Sequence, residues 1–271
     1  MKSQQKAVQD PTAVPLVILA GGLGTRMGSL TENVPKPMLE IHGRPMLLHI
    51  MLHYARFGVT EFHILAGYKS SYIKNYFASL PRHLSSIRLT YDQGVTSVGE
   101  IHGTECKVAD WEVFVHETGY NSNTGERLKR IKDFLPDHFY FTYGDSLSDF
   151  DPTLGLAELR ERAATVVLCA VTKSERFGSL LIDKDQKVTK FQEKISSTET
   201  WINGGYMCVS PRIFEFITGS NDSFENDVLP RVVEMQQASA IKHRGFWKAI
   251  DHDRELHSIN STDWLPWQNT T

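Results

Sequence analysis

Between residues 16 and 39 the chain reads LVILAGGLGTRMGSLTENVPKPML, an apolar run that passes into Gly21, Gly22 and Gly24 and then reaches Thr25, Arg26 and Lys36. Residues without a Cβ let backbone amides approach phosphate oxygens, so a loop of this kind suits a phosphate-bearing ligand. A bare Gly-Gly pair is more often only a tight turn. Here Arg26 and Lys36 add positive charge, and Pro35 and Pro37 stiffen the backbone on both sides of the lysine. Spacing excludes two well-known glycine loops. Counted from Gly22, the dinucleotide fingerprint needs a third glycine where Met27 stands, and no Gly-Lys-Ser/Thr follows to make a Walker loop. A second chemical signal is the run Tyr143-Gly144-Asp145. It follows an apolar stretch and puts a carboxylate beyond a strand's carboxyl end, where open α/β sheets hold ligands.

The elements that must position these groups follow from hydrophobic period. Strands are predicted over 16–20, 61–66 and 87–91, separated by helices over 45–57 and 70–80, which makes consecutive βαβ units. Residues 92–119 read as irregular. A helix over 124–135, with Thr124 as its cap, precedes a strand over 138–142. The later chain is richer in strand, over 165–172, 179–182, 188–191 and 202–210, with helices over 212–217 and 225–237. The expected fold class is α/β, a Rossmann-like, mixed and mostly parallel sheet with helices on both faces. Residues 1–14 form a polar tail, and 15–271 one domain.

Composition narrows the function classes. Lys plus Arg number 29 and Asp plus Glu 32, a formal net charge of −3, so no bulk attraction to nucleic acid or anionic lipid is expected. Cys106, Cys169 and Cys208 are too scattered for a disulfide framework or a zinc knuckle, which fits a reducing cytoplasm. The tail lacks the apolar core of a signal peptide, and no apolar run approaches the roughly 18 residues of a membrane span. His49 and His53 lack the Glu of an HExxH metal motif, so a structural role is expected for them.

The pattern GGxGTR followed by PKPM at 35–38 resembles the signature of the sugar nucleotidyltransferases. The resemblance continues through GYK (67–69), TGERLKR (124–130), FTYGD (141–145), RFG (176–178), FQEK (191–194), INGG (202–205), Phe246-Trp247, Asp251 and Pro266-Trp267. Within that superfamily it is strongest to the glucose-1-phosphate cytidylyltransferases. It implies the nucleotidyltransferase, GT-A-like, fold, with 15–150 mainly holding nucleotide and 151–271 mainly sugar phosphate. The implied reaction joins CTP to a sugar 1-phosphate, above all α-D-glucose 1-phosphate, giving a CDP-sugar and pyrophosphate. Rival readings are another sugar, a non-sugar phosphate or another nucleotide, and, in a different class, a non-catalytic binding homologue. None of Arg26, Lys36 and Asp145, whose loss would mark such a homologue, is missing.

The resemblance also assigns residues. Asp145 and Asp251 would hold Mg²⁺, whose hard-ion chemistry suits one or two carboxylates with phosphate and water completing the shell. Asp251 is preferred to Asp253, which can simply open the next helix. Arg26 and Lys36 would face the triphosphate and the charge growing on pyrophosphate. Leu19, Ala20, Gly21, Gly22, Gly24, Thr25, Thr118, Gly119, Gly125, Arg127, Tyr143 and Gly144 complete the nucleotide site, with Arg127 and nearby amides as candidates for reading the base. Lys194, also catalytic, would face the sugar phosphate together with Glu193, Asn203 and Gly204. The purely structural alternative for Asn203-Gly204-Gly205 is a β-bulge. A homo-oligomer is implied as well.

Overall fold

The structure, a computed structural model, describes residues 14–80, 86–92, 95–101, 111–135, 137–172, 179–182, 188–192, 200–262 and 265. Seven strands make the main sheet: β1 (Leu16–Ala20), β4 (Glu61–Ala66), β7 (Glu112–Glu117), β8 (Phe139–Tyr143), β10 (Val166–Thr172), β13 (Trp201–Val209) and β14 (Ala238–His243). Four two-stranded ribbons pair β2 (Glu40–Ile41) with β3 (Arg44–Pro45), β5 (Ser86–Asp92) with β6 (Val95–Ile101), β9 (Ser146–Ser148) with β15 (Trp247–Ala249), and β11 (Ser179–Ile182) with β12 (Val188–Gln192). Across the main sheet the order is β14-β10-β13-β8-β1-β4-β7, and only β13 runs against the others. The expected mixed, mostly parallel sheet is therefore present.

β1 is an interior strand between β8 and β4, and each of its five residues is apolar and buried, as a strand covered on both faces requires. Its side chains alternate between two cores. Leu16, Ile18 and Ala20 join the core that receives α1 (Met46–Ala55), α2 (Ser70–Ala78), α4 (Pro152–Arg162) and α6 (Asp253–Asn260) through Ile50, Ile73, Leu159 and Ile259. Val17 and Leu19 join the other, which receives α3 (Thr124–Lys129) and α5 (Leu229–Glu234) through Leu128 and Val232.

Several expectations are corrected. The strand over 87–91 exists as β5, but it folds back on β6 in an antiparallel ribbon outside the main sheet. The third parallel strand is β7, with Glu61 opposite Glu112, inside the stretch read as irregular. β7 is a sheet edge whose four middle residues are half-buried between two exposed glutamates, so it lacks the continuous buried apolar run of an interior strand. The expected helix over 124–135 stops at Lys129 and resumes as a 3-10 turn, Lys132–Phe134. Its N-cap is Asn123 rather than Thr124, whose hydroxyl is used elsewhere. The helix over 225–237 opens as a π turn, Phe224–Val228, where Pro230 has no N–H to offer an α-helical ladder. The segment over 212–217 is a 3-10 turn, Pro211–Phe216.

His49 and His53 have structural roles, since both are buried on α1 with Nε2 2.7 Å from the carbonyls of Ile41 and Phe150 respectively. Burial, against the opposing pull of those carbonyls, lowers both pKa values to about 4. The unfolded chain binds these protons near pH 6.5 and the folded chain only near 4. Their contribution is thus complete above pH 6.5 and is lost as pH falls toward 4, by about 1.4 kcal/mol per pH unit for each histidine. Urea midpoints followed from pH 7 to pH 4 should decline, and His49→Gln should remove its share of that slope. An unchanged slope would contradict the assignment.

Candidate active site

The site is assembled at the carboxyl ends of β1 and β8. Gly144 N donates to Leu19 O at 2.9 Å, locking the two strand ends together. A Cβ on Gly144 would lie 2.9 Å from Leu19 O and 2.9 Å from Pro37 Cγ, so only glycine lets the Pro35–Pro37 turn approach. That turn, closed by Met38 N donating to Pro35 O at 2.8 Å, delivers Lys36. From the other side, β9 pairs antiparallel with β15, Ser146 opposite Ala249, and Ile250 N continues the ladder to Asp145 O at 2.9 Å. Asp145 and Asp251 therefore stand at the same end of one ribbon.

Lys36 joins them. Its Nζ donates to Asp145 Oδ2 at 3.0 Å and to Asp251 Oδ1 at 2.7 Å, and Arg26 Nη1 lies 3.7 Å from the same Asp251 oxygen. The lysine side chain is 11% exposed and that of Arg26 is 72% exposed, so one cation is held in the wall while the other reaches into solvent. Burial opposes ionisation of Asp251, but the hydrogen bond and charge of Lys36, with Arg26 and His252, hold its carboxyl below the usual range. Two carboxylates converging on one cation form a hard-oxygen set that could hold Mg²⁺. No cluster of three or more metal-ligating side chains occurs among the described residues. Asp253 stays in the first turn of α6, 3.4 Å from His257, so Asp251 is the aspartate that enters the site.

The glycine loop lies beside this cluster. Gly24 has φ +65°, and Thr31 Oγ1 donates to Gly24 O at 3.0 Å and to Gly28 O at 3.2 Å. The 3-10 segment Thr25–Thr31 follows, leaving the first amides of its opening turn without an intrahelical acceptor. A cleft of about 410 Å³ is lined by Leu19, Ala20, Gly21, Gly22, Gly24, Thr25, Arg26, Lys36, Arg127, Tyr143, Gly144, Asp145 and Asp251. All of these were sequence candidates. Pro37, Ser122, Asn123, Thr124, Ser223 and Glu225 complete the lining.

Arg127, named above as a candidate for reading the base, lines the cleft and braces its wall. It is 3% exposed, and its terminal nitrogens donate to Gly21 O (3.0 Å), Gly119 O (2.7 Å), Tyr120 O (3.3 Å), Ala66 O (3.4 Å) and Thr118 Oγ1 (2.7 Å). Those bonds tie the glycine loop to the chain after β7. A Cβ on Gly21 would collide with the guanidinium. Thr118 and Gly119 thus support the wall from behind, as does Gly125, whose N donates to Asp222 O at 3.0 Å. None of these three lines the cleft.

Gly204 is also corrected. It is buried, its carbonyl accepts from Trp247 Nε1 at 2.7 Å, and the β10 to β13 register slips between Leu168 and Ala170, so the glycines form a bulge rather than exposed backbone. Asn203 is exposed, and its Oδ1 accepts from Gly205 N at 2.9 Å. Glu193 and Lys194 lie outside the described residues. Sequence reasoning missed Glu225, Ser223 and Ser122 as cleft residues. No local signal marks them, because Glu225 reaches the cleft only through the packing of 222–225 on 123–126.

A family profile described as nucleotidyl transferase matches residues 16–263. Glucose-1-phosphate cytidylyltransferase of Salmonella typhi is 35% identical over 260 residues, covering 93% of this chain and 99% of that protein. Probable glucose-1-phosphate cytidylyltransferase of Bacillus subtilis is 34% identical, covering 90% of this chain and 94% of that protein. The crystal structure of HddC from Yersinia pseudotuberculosis superposes with a TM-score of 0.63 at 24% identity, over 91% of this chain and 98% of that one. No helix among the described residues is long and apolar enough to cross a membrane.

Proposed function

The chain belongs to the nucleotidyl transferase family, and on that premise we propose that it transfers a cytidylyl group from CTP to α-D-glucose 1-phosphate, releasing pyrophosphate. The observation that supports it is the meeting of Arg26, Lys36, Asp145 and Asp251 beside a glycine loop in a single cleft. A sugar-phosphate oxygen attacks the α-phosphorus in line. The new P–O bond forms as the bond to the β-phosphate bridging oxygen breaks, and pyrophosphate carries the electron pair away. Mg²⁺ bound to Asp145 and Asp251 would supply Lewis-acid charge at the phosphate oxygens. Lys36 is already oriented by the two aspartates and offers its third N–H to an incoming phosphate. Arg26, largely solvent-exposed, swings to the charge developing on the leaving group. Cytidine and glucose are favoured because the two relatives named above carry that name.

The test is a panel of CTP, UTP, dTTP, ATP and GTP against several hexose and heptose 1-phosphates, scored by pyrophosphate release. CTP with α-D-glucose 1-phosphate should give the highest kcat/KM. Equal turnover of every nucleotide would defeat the cytidine assignment, and a better sugar partner would defeat the glucose assignment.

A further inference from the structure

The cleft wall also carries a carboxylate that the reaction above does not use. Glu225 Oε2 accepts from Thr124 Oγ1 at 2.7 Å and from Ser223 Oγ at 2.9 Å. Each of those hydroxyls is itself an acceptor, Thr124 Oγ1 from Phe224 N at 2.8 Å and Ser223 Oγ from Asn226 N at 3.1 Å. Their single hydrogens are thereby aimed at Glu225, and the carboxylate is fixed before any ligand arrives.

Tyr143 stands beside it. The phenolic oxygen is buried within hydrogen-bonding reach of Glu225 and Asn203, and both Tyr143 and Glu225 line the cleft. A fixed carboxylate acceptor beside a phenol that can donate matches a hydroxyl, which both donates and accepts. A phosphate is excluded, because a carboxylate repels it. The Tyr143 ring packs on Gly205 of β13.

We propose that Glu225, oriented by Thr124 and Ser223 and paired with the Tyr143 phenol, grips a sugar-ring hydroxyl and is a specificity-determining residue of this site. The hydroxyl belongs to the ribose of the nucleotide or to the hexose of the sugar phosphate. The inference rests on the nucleotidyltransferase reading.

The experiment compares wild type with Glu225→Gln and Glu225→Asp on two arms. One arm uses CTP, 2′-deoxy-CTP and 3′-deoxy-CTP. The other uses the accepted sugar 1-phosphate and its singly deoxygenated analogues. Both kcat/KM and calorimetric Kd are measured, with thermal melting as a check on folding. The wild type should disfavour one deoxy analogue by about 10- to 100-fold, the range of a hydrogen bond to a charged group. Both variants should lose that preference to within about threefold while losing a similar factor on the full substrate. The arm that responds names the ring. Retention of the wild-type ratios by both variants on both arms overturns the proposal. Failure of the wild type to release pyrophosphate with any pair would overturn the functional reading instead, and the Kd ratios would still decide the role of Glu225.

Discussion

Asp145→Asn should lower kcat/KM for pyrophosphate release by about a thousandfold or more, while moving the melting temperature by only a few degrees. The carboxylate is 42% exposed, and the hydrogen bond its side chain makes goes to Lys36, which keeps Asp251 at 2.7 Å. An exposed ion pair of this kind contributes about 0–1 kcal/mol to stability. The backbone carbonyl that accepts from Ile250 N is untouched by the substitution, so the ribbon between β9 and β15 stays paired. The chemistry has no such reserve. Two polyanions must be brought together, and an amide in place of the carboxylate removes half of the charge available for a divalent cation. Pyrophosphate release and calorimetric melting, measured on the same preparation, separate the two effects. Wild-type turnover by the variant would remove Asp145 from the proposed reaction.

Arg127→Met should act in the opposite sense, with a large loss of stability. The methionine fills part of the space but donates no hydrogen bond, so the Gly119 and Tyr120 carbonyls lose the guanidinium, while Gly21 O keeps Tyr68 N and Ala66 O keeps Thr118 N and Oγ1. Buried acceptors left unpaired cost about 1–3 kcal/mol each before relaxation. A net loss of about 3 kcal/mol or more is expected, a fall in melting temperature of about 6–12 °C. Whatever fraction remains folded should rank nucleotides as the wild type does, because the guanidinium's donors are taken by protein carbonyls and the Thr118 hydroxyl. A changed nucleotide ranking with unchanged melting would restore Arg127 as a base reader.

The legible part of the site was local. The apolar run of β1, the glycines after it, the proline-flanked Lys36 and the aspartate after β8 each occupy a short window whose period or spacing carries the physics. Arg127 shows where that ends. TGERLKR marks a basic helix start, yet only packing decides that Arg127 turns inward while Arg130 pairs with Glu126 on the outside at 3.0 Å. Gly204 is similar, since bulge and exposed phosphate cradle demand the same residue. β7 was illegible because an edge strand needs no continuous apolar run, and β5 misled because its partner is the adjacent strand rather than the sheet.

From the order of residues alone come the α/β class, the buried strand β1, the phosphate-suited loop and the family to which the chain belongs, because these depend on neighbours within a few residues. The meeting of Asp145 with Asp251 spans more than a hundred positions and depends on the pairing of β9 with β15. The facing of Glu225 with Thr124 depends on 222–225 packing against α3. Long-range antiparallel pairing and loop packing leave no periodic trace in either partner, so those arrangements exist only once the chain has folded.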